Sequence, residues 1–238
     1  YDDHTDNYLQ INNQLILNHR FTDRWSLSAM GFYTYGYGYY NQYKAERTLL
    51  EYGNLGIKDS DVEADMVRVK LMRNHTTGVN LTAAYNTERL QLLMGGAWSY
   101  YTCPHWGELM WVDGFESSAI GGRWYDNDVD KQDANIFVKG LWRAAKGLDI
   151  YADLQYRFVS YKAWGVNDNF DWNTMQMQPI NVDERYHFLN PRIGLSYAFA
   201  LRHKLYASAA IAHNEPTRSD FTDRYRFAAD QTQPTSER

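Results

Sequence analysis

The sequence has a single cysteine, Cys103, among 238 residues, and it has no long apolar run. One cysteine cannot form an internal disulfide and matches no zinc-binding pattern, so neither device organises this fold. A membrane helix needs about 20 mostly apolar residues, and the mean hydropathy of this chain is −0.63. A helical membrane protein is therefore excluded. A membrane β-barrel is not, because each of its strands shows only every second residue to lipid.

The chain also lacks an excess of positive charge. Its net charge is −5 and its pI is about 5.8, which argues against nucleic acid as a partner. Residues 1–20 contain no basic segment followed by an apolar one, so we expect any signal peptide to lie outside this chain. The sequence shows no paired nucleophile and base, no phosphate-binding loop and no zinc triad, so we expect neither an enzyme nor a cofactor.

Aromatic residues are abundant, at 16% of the chain with 20 Tyr and 8 Trp. Tyr and Trp suit the membrane–water boundary, where one end of the side chain is apolar and the other is wet. They suit sugar-binding surfaces equally well, so abundance alone does not choose a function. The run Tyr33–Tyr40 has two interpretations, a ladder that stacks on a ligand or the aromatic girdle of a barrel, and the girdle is favoured.

Hydropathy alternates with a period of two along much of the chain. In 148–162 the even positions include Leu148, Ile150 and Leu154, whereas Asp149 and Asp153 occupy the opposite face. This alternation predicts a half-buried β-strand. It fits both a soluble sandwich, with the apolar face inward, and a membrane barrel, with the apolar face toward lipid.

The lengths of strands and connections favour the barrel. Eight strands are predicted, near residues 7–21, 24–43, 66–86, 89–101, 133–143, 147–163, 186–199 and 204–214. Several exceed the usual five or six residues of soluble proteins. Tight turns at Thr22-Asp23, Asn86–Glu88, Ala144–Gly147 and Ala200–His203 alternate with long loops at 44–65, 102–132 and 164–185, as in outer-membrane proteins. The prediction is an all-β, antiparallel, up-and-down transmembrane β-barrel.

Four stretches resemble motifs of the barrel domain of TonB-dependent receptors, especially those of the Bacteroidetes type. His105–Glu108 is similar to an HFGE motif, Tyr151–Lys162 to YxDLQYRxxxYK, Phe188–Tyr197 to FxNPKxGLxY, and Tyr206–Phe221 to YAS…REPTRxDY. Each motif is weak by itself, but the four occur in the family's order and cover much of the chain. Cys103-Pro104 departs from the turn that precedes the HFGE motif in the family.

The resemblance implies a barrel of 22 strands around a globular plug. Residues 1–238 would then be a partial barrel domain with about eight of those strands, and the plug and the C-terminal strands would lie outside this chain. It also implies the outer membrane of a Gram-negative cell as the location. The implied partners are its lipid bilayer, the plug of the same receptor, the TonB complex and a small nutrient.

The resemblance implies TonB-energised uptake of a scarce nutrient, and an iron complex (siderophore or haem) is the first expectation for the cargo. Cobalamin or an oligosaccharide is the alternative within the family. A passive porin-like or structural barrel and a soluble glycan-binding β-protein are alternatives from other classes. The three predicted loops are strongly acidic, which favours cations at the mouth and means that an anionic siderophore needs positive residues elsewhere.

Three groups of residues are candidates for a functional role. The ligand-binding candidates are His105, Trp106, Trp111, Trp124 and Trp164, since indole rings stack on sugars, siderophore rings or corrins. The candidates for facing the lumen and the plug are Asp149, Asp153, Gln155 and Arg157. A weak calcium candidate is formed by Asp126, Asp128 and Asp130.

No firm metal site follows from these residues. The three aspartates have the one-three-five spacing of a calcium loop, but Lys131 replaces the glycine at the sixth place and Phe137 replaces the glutamate at the twelfth. His105 and Glu108 are metal-binding residue types without a third partner, so we expect no metal there.

Overall fold

One antiparallel sheet dominates the computed structural model, which describes residues 5–52, 62–116, 122–200, 203–222 and 235–237. Its strands are β1 (Asp6–Arg20), β2 (Trp25–Thr48), β3 (Glu63–Asn86), β4 (Leu90–Thr102), β5 (His105–Val112), β6 (Arg123–Ala145), β7 (Leu148–Asp171), β8 (Gln176–Ala200) and β9 (His203–Ala210). Outside the sheet lie a 3-10 helix (Leu49–Tyr52), the paired strands β10 (Ala212–Asn214) and β11 (Thr235–Glu237), and helix α1 (Arg218–Thr222). No helix in this part of the chain is long and apolar enough to span a membrane.

The sheet has next-neighbour topology, in the order β1-β2-β3-β4-β6-β7-β8-β9. Strand β5 continues the line of β4 after the break at Cys103-Pro104, and like β4 it pairs with β3 and β6. Within the described ranges β1 and β9 each pair with one neighbour, so the sheet is open at both ends. The predicted antiparallel, up-and-down, partial barrel is confirmed.

The register places the alternating side chains on two different faces. Across the sheet Leu81 lies opposite Gly96, Gly96 opposite Ile136, and Ile136 opposite Tyr156, so large and small apolar residues share one face. We call this the outer face. Ile136 is 65% exposed. Many other large apolar side chains of this face are also exposed: Leu15, Leu17, Val79, Leu81, Leu154, Leu189, Ile193 and Leu195. Apolar surface of this extent needs lipid or another partner to cover it.

The opposite face, the inner face, is concave at one rim. Lys70 of β3 forms an ion pair with Asp168 of β7, although β4–β5 and β6 separate these strands in the sheet. The 3-10 helix folds onto the same face, where Leu49 and Tyr52 pack with Met66 and other residues in an apolar cluster. Two smaller buried clusters, one around Val159 and one around Val129, lie on the same face, so the core of the described residues consists of separate clusters on the inner face.

The strands are longer at this rim than the alternation predicts. The predicted loop 164–185 is a hairpin with its turn between Asp171 and Gln176, and 102–132 contains β5 and the start of β6. Part of 44–65 is strand as well, and 53–61 lies outside the described residues. The hydropathy pattern does not predict these strand ends, because neither of their faces is consistently apolar. The alternation of apolar and polar residues therefore stops, although the hydrogen-bonded pairing of the strands continues.

Three of the four predicted tight turns are confirmed, and they lie at the opposite rim. The chain turns between Arg20 and Trp25, between Asn86 and Leu90, and between Ala145 and Leu148. The fourth, Ala200–His203, includes 201–202, which lie outside the described residues. Gly147 has φ +77°, and a Cβ there would lie 2.4 Å from the carbonyl oxygen of Ala198, so this turn requires glycine.

The tyrosine run is divided between the two faces. Tyr33, Tyr35, Tyr37 and Tyr39 occupy alternate positions on the outer face, and Tyr33 Oη lies 2.8 Å from His75 Nδ1. Tyr40 points to the inner face, opposite Lys70. The outer four are placed as the girdle interpretation requires.

Candidate functional site

A pocket of about 240 Å³ lies on the inner face near the long-strand rim. Aromatic, cationic, acidic and other polar side chains line it together with Met72: Asp6, Tyr8, Tyr40, Lys70, His105, Tyr125, Asn167, Asp168 and Arg218. Strand register gathers several of them, because Tyr40 pairs with Lys70 and Met72 pairs with His105. Gly38 admits the ring of Tyr8, since a Cβ at Gly38 would lie 2.8 Å from it.

Lys70 supplies a fixed positive charge at this pocket. Besides its ion pair with Asp168, its Nζ lies 5.9 Å from the ring centre of Tyr40, 5.6 Å from Trp124 and 5.9 Å from Tyr125. A cation over an aromatic ring gains about 0.5–1 kcal/mol at exposed sites and more where water is excluded. The side chain of Lys70 is only 14% exposed, so the ammonium group is held among rings rather than in solvent.

His105 is the imidazole of the pocket. Its Nδ1 lies 3.0 Å from the carbonyl oxygen of Cys103, and Nη1 of Arg218 lies 3.2 Å from the same nitrogen. Burial, and after it the positive charge of Arg218, lowers the His105 pKa from 6.5 to about 4. The ring is therefore neutral at physiological pH, which allows the guanidinium of Arg218 to lie against it.

A network of charged and polar groups covers the inner face toward the tight-turn rim. Arg157 donates to both carboxylate oxygens of Asp133, at 2.5–3.2 Å, and to both oxygens of Glu215, at 2.8 and 3.0 Å. On the same inner face, Lys139 Nζ lies 3.7 Å from Asp153, and Asn190 Nδ2 donates to Gln155 Oε1 at 3.3 Å. Ion pairs and hydrogen bonds between side chains therefore cover this part of the inner face, in contrast to the apolar outer face.

The comparison with protein families decides between the classes that such a two-faced sheet allows. A family model described as "TonB dependent receptor-like, beta-barrel" matches residues 1–236. The chain belongs to this receptor family. A search of curated proteins found no match.

Solved receptors share the fold of this receptor barrel. The ferric-catecholate import receptor Fiu of E. coli K12, in its closed form, has a TM-score of 0.60 at 13% identity over 92% of this chain. The copper transporter OprC gives 0.58 at 13% over 90%, and BauA, the ferric preacinetobactin receptor of Acinetobacter baumannii, gives 0.51 at 9% over 97%. This chain covers 35%, 30% and 33% of those chains, so it spans about a third of each.

The five ligand-binding candidates do not lie together: the receptor barrel places two of them at or beside the pocket and three on the outer face. His105 lines the pocket, and Trp124 lies under it, 4% exposed, in the cluster that holds the 3-10 helix. Trp106 lies on the outer face, where it pairs with Leu71, and Trp111 lies on the same face because a register shift between Val67 and Arg68 pairs it with Val67. Trp106 Nε1 donates to Glu108 at 3.0 Å on that face. Trp164 is also on the outer face, opposite Asp128.

The four lumen candidates occupy one face of β7. Asp149, Asp153, Gln155 and Arg157 are alternate or next-alternate residues of that strand, and the register places all of them on the inner face of the receptor barrel. Arg157 and Asp153 bind neighbouring strands through the ion pairs described above. Contact with a plug stays a prediction.

The three aspartates of the calcium candidate do not lie in a loop, which corrects the sequence-based interpretation. Asp126, Asp128 and Asp130 are alternate residues of β6 on the outer face, and Asp126 pairs with Arg123 at 2.6 Å. An extended strand spaces alternate side chains along a line, so they do not converge on one point. The described residues contain no group of three or more His, Cys, Asp or Glu side chains that could hold a metal ion.

Sequence reasoning missed most of the pocket. Tyr8, Lys70 and Tyr125 carry no motif, and only the strand register brings them together. Arg218 could have been found, because it lies in the stretch that resembles the REPTRxDY motif and that motif was assigned no role.

The lowered pKa of His105 gives a direct test of this geometry. Because the folded-state pKa lies below 6.5, the contribution of the neutral ring is complete above pH 6.5 and is lost as the pH falls toward 4. We expect the His105 imidazole ¹⁵N signal of the full-length receptor in micelles to titrate with a midpoint near 4. Arg218→Gln should move that midpoint upward, and His105→Gln assigns the signal. An unchanged midpoint in Arg218→Gln would show that the two side chains are not in contact.

Proposed function

We propose that this chain is part of the barrel of an outer-membrane importer that takes up a scarce nutrient with energy supplied through TonB. The proposal includes a plug from the same receptor inside the barrel, lipid around the outer face and no enzymatic activity. Membership of the receptor family supports it, together with the division of the sheet into an apolar outer face and a polar inner face.

We further propose an iron complex, a siderophore or haem, as the cargo. The observation that carries this is the inner pocket, where Tyr8, Tyr40 and Tyr125 surround Lys70 and Arg218. Rings that stack and cations that attract negative charge suit an anionic chelate with flat organic groups. Two carboxylates, Asp6 and Asp168, also line the pocket, and Lys70 pairs with Asp168, so an anionic cargo would be recognised here mainly through Arg218 and the rings. Two receptors of similar fold are named as a ferric-catecholate import receptor (Fiu) and as the ferric preacinetobactin receptor (BauA).

The test is a growth and binding assay on the full-length protein in an outer membrane. Each host receives one limiting nutrient in turn: a ferric catecholate, haem, cobalamin or an oligosaccharide. We expect growth on an iron complex in a host with TonB and none in the same host without it, while binding of the radiolabelled complex to whole cells stays unchanged.

Each other outcome would favour one of the alternative functions. Growth that persists without TonB would replace the importer with a passive porin-like barrel. Growth only on cobalamin or the oligosaccharide would keep the importer and replace its cargo. Recovery of the folded protein in the soluble fraction, with no membrane insertion, would favour a glycan-binding β-protein. Trp111→Ala serves as a control, because this ring lies exposed on the outer face and its removal should leave uptake intact.

A further inference from the structure

A short segment crosses the inner face after the last strand of the sheet. Residues 212–222, which include β10 and α1, lie against β6, β7 and β8, and we call them the inner strap. Only Ala212–Asn214 forms a strand ladder, with β11, and α1 has five residues. A helix this short has no stability of its own. The position of the strap therefore depends on the side chains that attach it.

Glu215 makes the strongest polar attachment. Its carboxylate accepts from Lys131 Nζ at 2.7 Å and from two nitrogens of Arg157 at 2.8 and 3.0 Å. Burial by itself would raise the Glu215 pKa, but hydrogen bonds from Lys131 and Arg157 outweigh it and hold the pKa at about 2. Glu215 is thus ionised throughout the physiological range, and it joins the strap to β6 and β7 at once.

Aromatic contacts attach the two ends of the strap. The ring of His213 stacks on Phe188 at 5.8 Å, and its Nδ1 lies 2.9 Å from Asn190 Oδ1. Phe221 is buried and stacks on Tyr161 at 5.8 Å. Glu215 lies between these ends, so its loss would free the middle of the strap more than either end.

Arg218 is carried by this middle part. Its Nη2 donates to Asn127 Oδ1 at 2.8 Å, and Asn127 is itself 1% exposed and fixed by a hydrogen bond of 2.9 Å to the carbonyl oxygen of Val166. Arg218 lines the pocket beside His105, whereas Glu215 lies outside the pocket lining. Part of the pocket lining is consequently supplied by the inner strap and not by a strand of the main sheet.

We propose that Glu215 is a positioning residue for cargo binding, which acts by holding the inner strap so that Arg218 stays in the pocket wall. This inference rests on the proposed function, since it takes the pocket to be the cargo site. Glu215 itself does not touch the cargo. Its effect on binding passes through Arg218, whose guanidinium contacts the negative part of the cargo.

Two measurements on the full-length receptor in micelles test it, with Glu215→Gln, Arg218→Gln, the double variant and the control Glu184→Gln. Glu184 is an exposed carboxylate elsewhere on β8, so its variant matches the change in charge. The first measurement is amide hydrogen exchange over 212–222 and needs no cargo. We expect faster exchange in the two variants that carry Glu215→Gln and wild-type exchange in the control Glu184→Gln. Equal exchange in Glu215→Gln and wild type would overturn the proposal.

The second measurement is the Kd of a ferric tris-catecholate probe. We expect each single variant to weaken binding about tenfold and the double variant to be no weaker than Arg218→Gln, because residues that act through one contact are not additive. Glu215→Asp should restore part of the affinity. Losses that multiply in the double variant would show that Glu215 acts independently and would refute the positioning role. If wild type does not bind the probe, a ferric catecholate is not the cargo, and the exchange measurement decides whether Glu215 holds the strap.

Discussion

Leu154→Arg is expected to prevent assembly of the receptor in the outer membrane. Leu154 lies at the middle of the apolar band on β7, between Val138 and Pro191 in the register, and it is 45% exposed on the outer face. An arginine on the lipid face of a barrel costs about 2–4 kcal/mol near the bilayer midplane. We expect most of the variant to be lost before it reaches the membrane, measured as the amount of heat-modifiable, folded receptor in outer-membrane fractions.

Gln155→Arg is the matched control for this substitution. Gln155 is the next residue of β7 but lies on the inner face, where Asn190 donates to it. The same charge added there faces water and carboxylates, so we expect near-normal amounts of folded receptor. If both variants assembled equally well, lipid would not cover the outer face and the membrane topology would be wrong.

Arg157→Leu is expected to lower the stability of the receptor by about 2–3 kcal/mol. Arg157 binds Asp133 and Glu215, and its side chain and both partners are only about one-fifth exposed (22%, 22% and 19%). Loss of the cation leaves two carboxylates close together with Lys131 as the remaining nearby cation of the network. The cost lies between that of exposed pairs, below about 1 kcal/mol, and that of fully buried ones, about 3–5 kcal/mol. Urea unfolding of the receptor in lipid vesicles measures it.

Lys162→Leu provides the comparison on the same strand. Lys162 and Asp183 form an ion pair at 2.9 Å, but the side chains are 43% and 52% exposed on the outer face. Water screens such a pair, so we expect a loss of less than about 1 kcal/mol. Equal losses for the two variants would mean that the inner network contributes nothing beyond ordinary surface charge.

The fold could be predicted from the sequence because lipid and water impose a period of two on the strands. Leu154 and Gln155 are neighbours with opposite hydropathy, and that contrast, repeated along the chain, predicted the strands. The length of the strands and the alternation of tight turns with long connections then favoured the barrel over a soluble sandwich. The turns were predicted for a similar reason, since the alternation stops where the chain reverses. The prediction failed beyond the apolar band, where 164–185 is a hairpin although its sequence is rich in Asn and Asp.

The site could not be predicted in the same way, because its members are brought together by register and not by spacing along the chain. His105 and Trp106 are adjacent in one motif, yet only His105 lies in the pocket, and the side on which each falls depends on how β5 pairs with β3. Tyr8 and Arg218 come from opposite ends of the chain. A single sequence contains no information about such pairings except through hydropathy, which is weakest at this rim.

The ion pair between Lys70 and Asp168 joins residues 98 positions apart in the sequence, across the strands that separate β3 from β7. Its formation requires three successive ladders to be in register, because a slip of one residue in any of them would turn one partner to the other face. A hairpin turn cannot ensure this by itself, because each turn sets the register of only the two strands that it connects. A sheet with a slipped strand therefore cannot form this ion pair, and Lys70 and Asp168 would no longer line the same pocket.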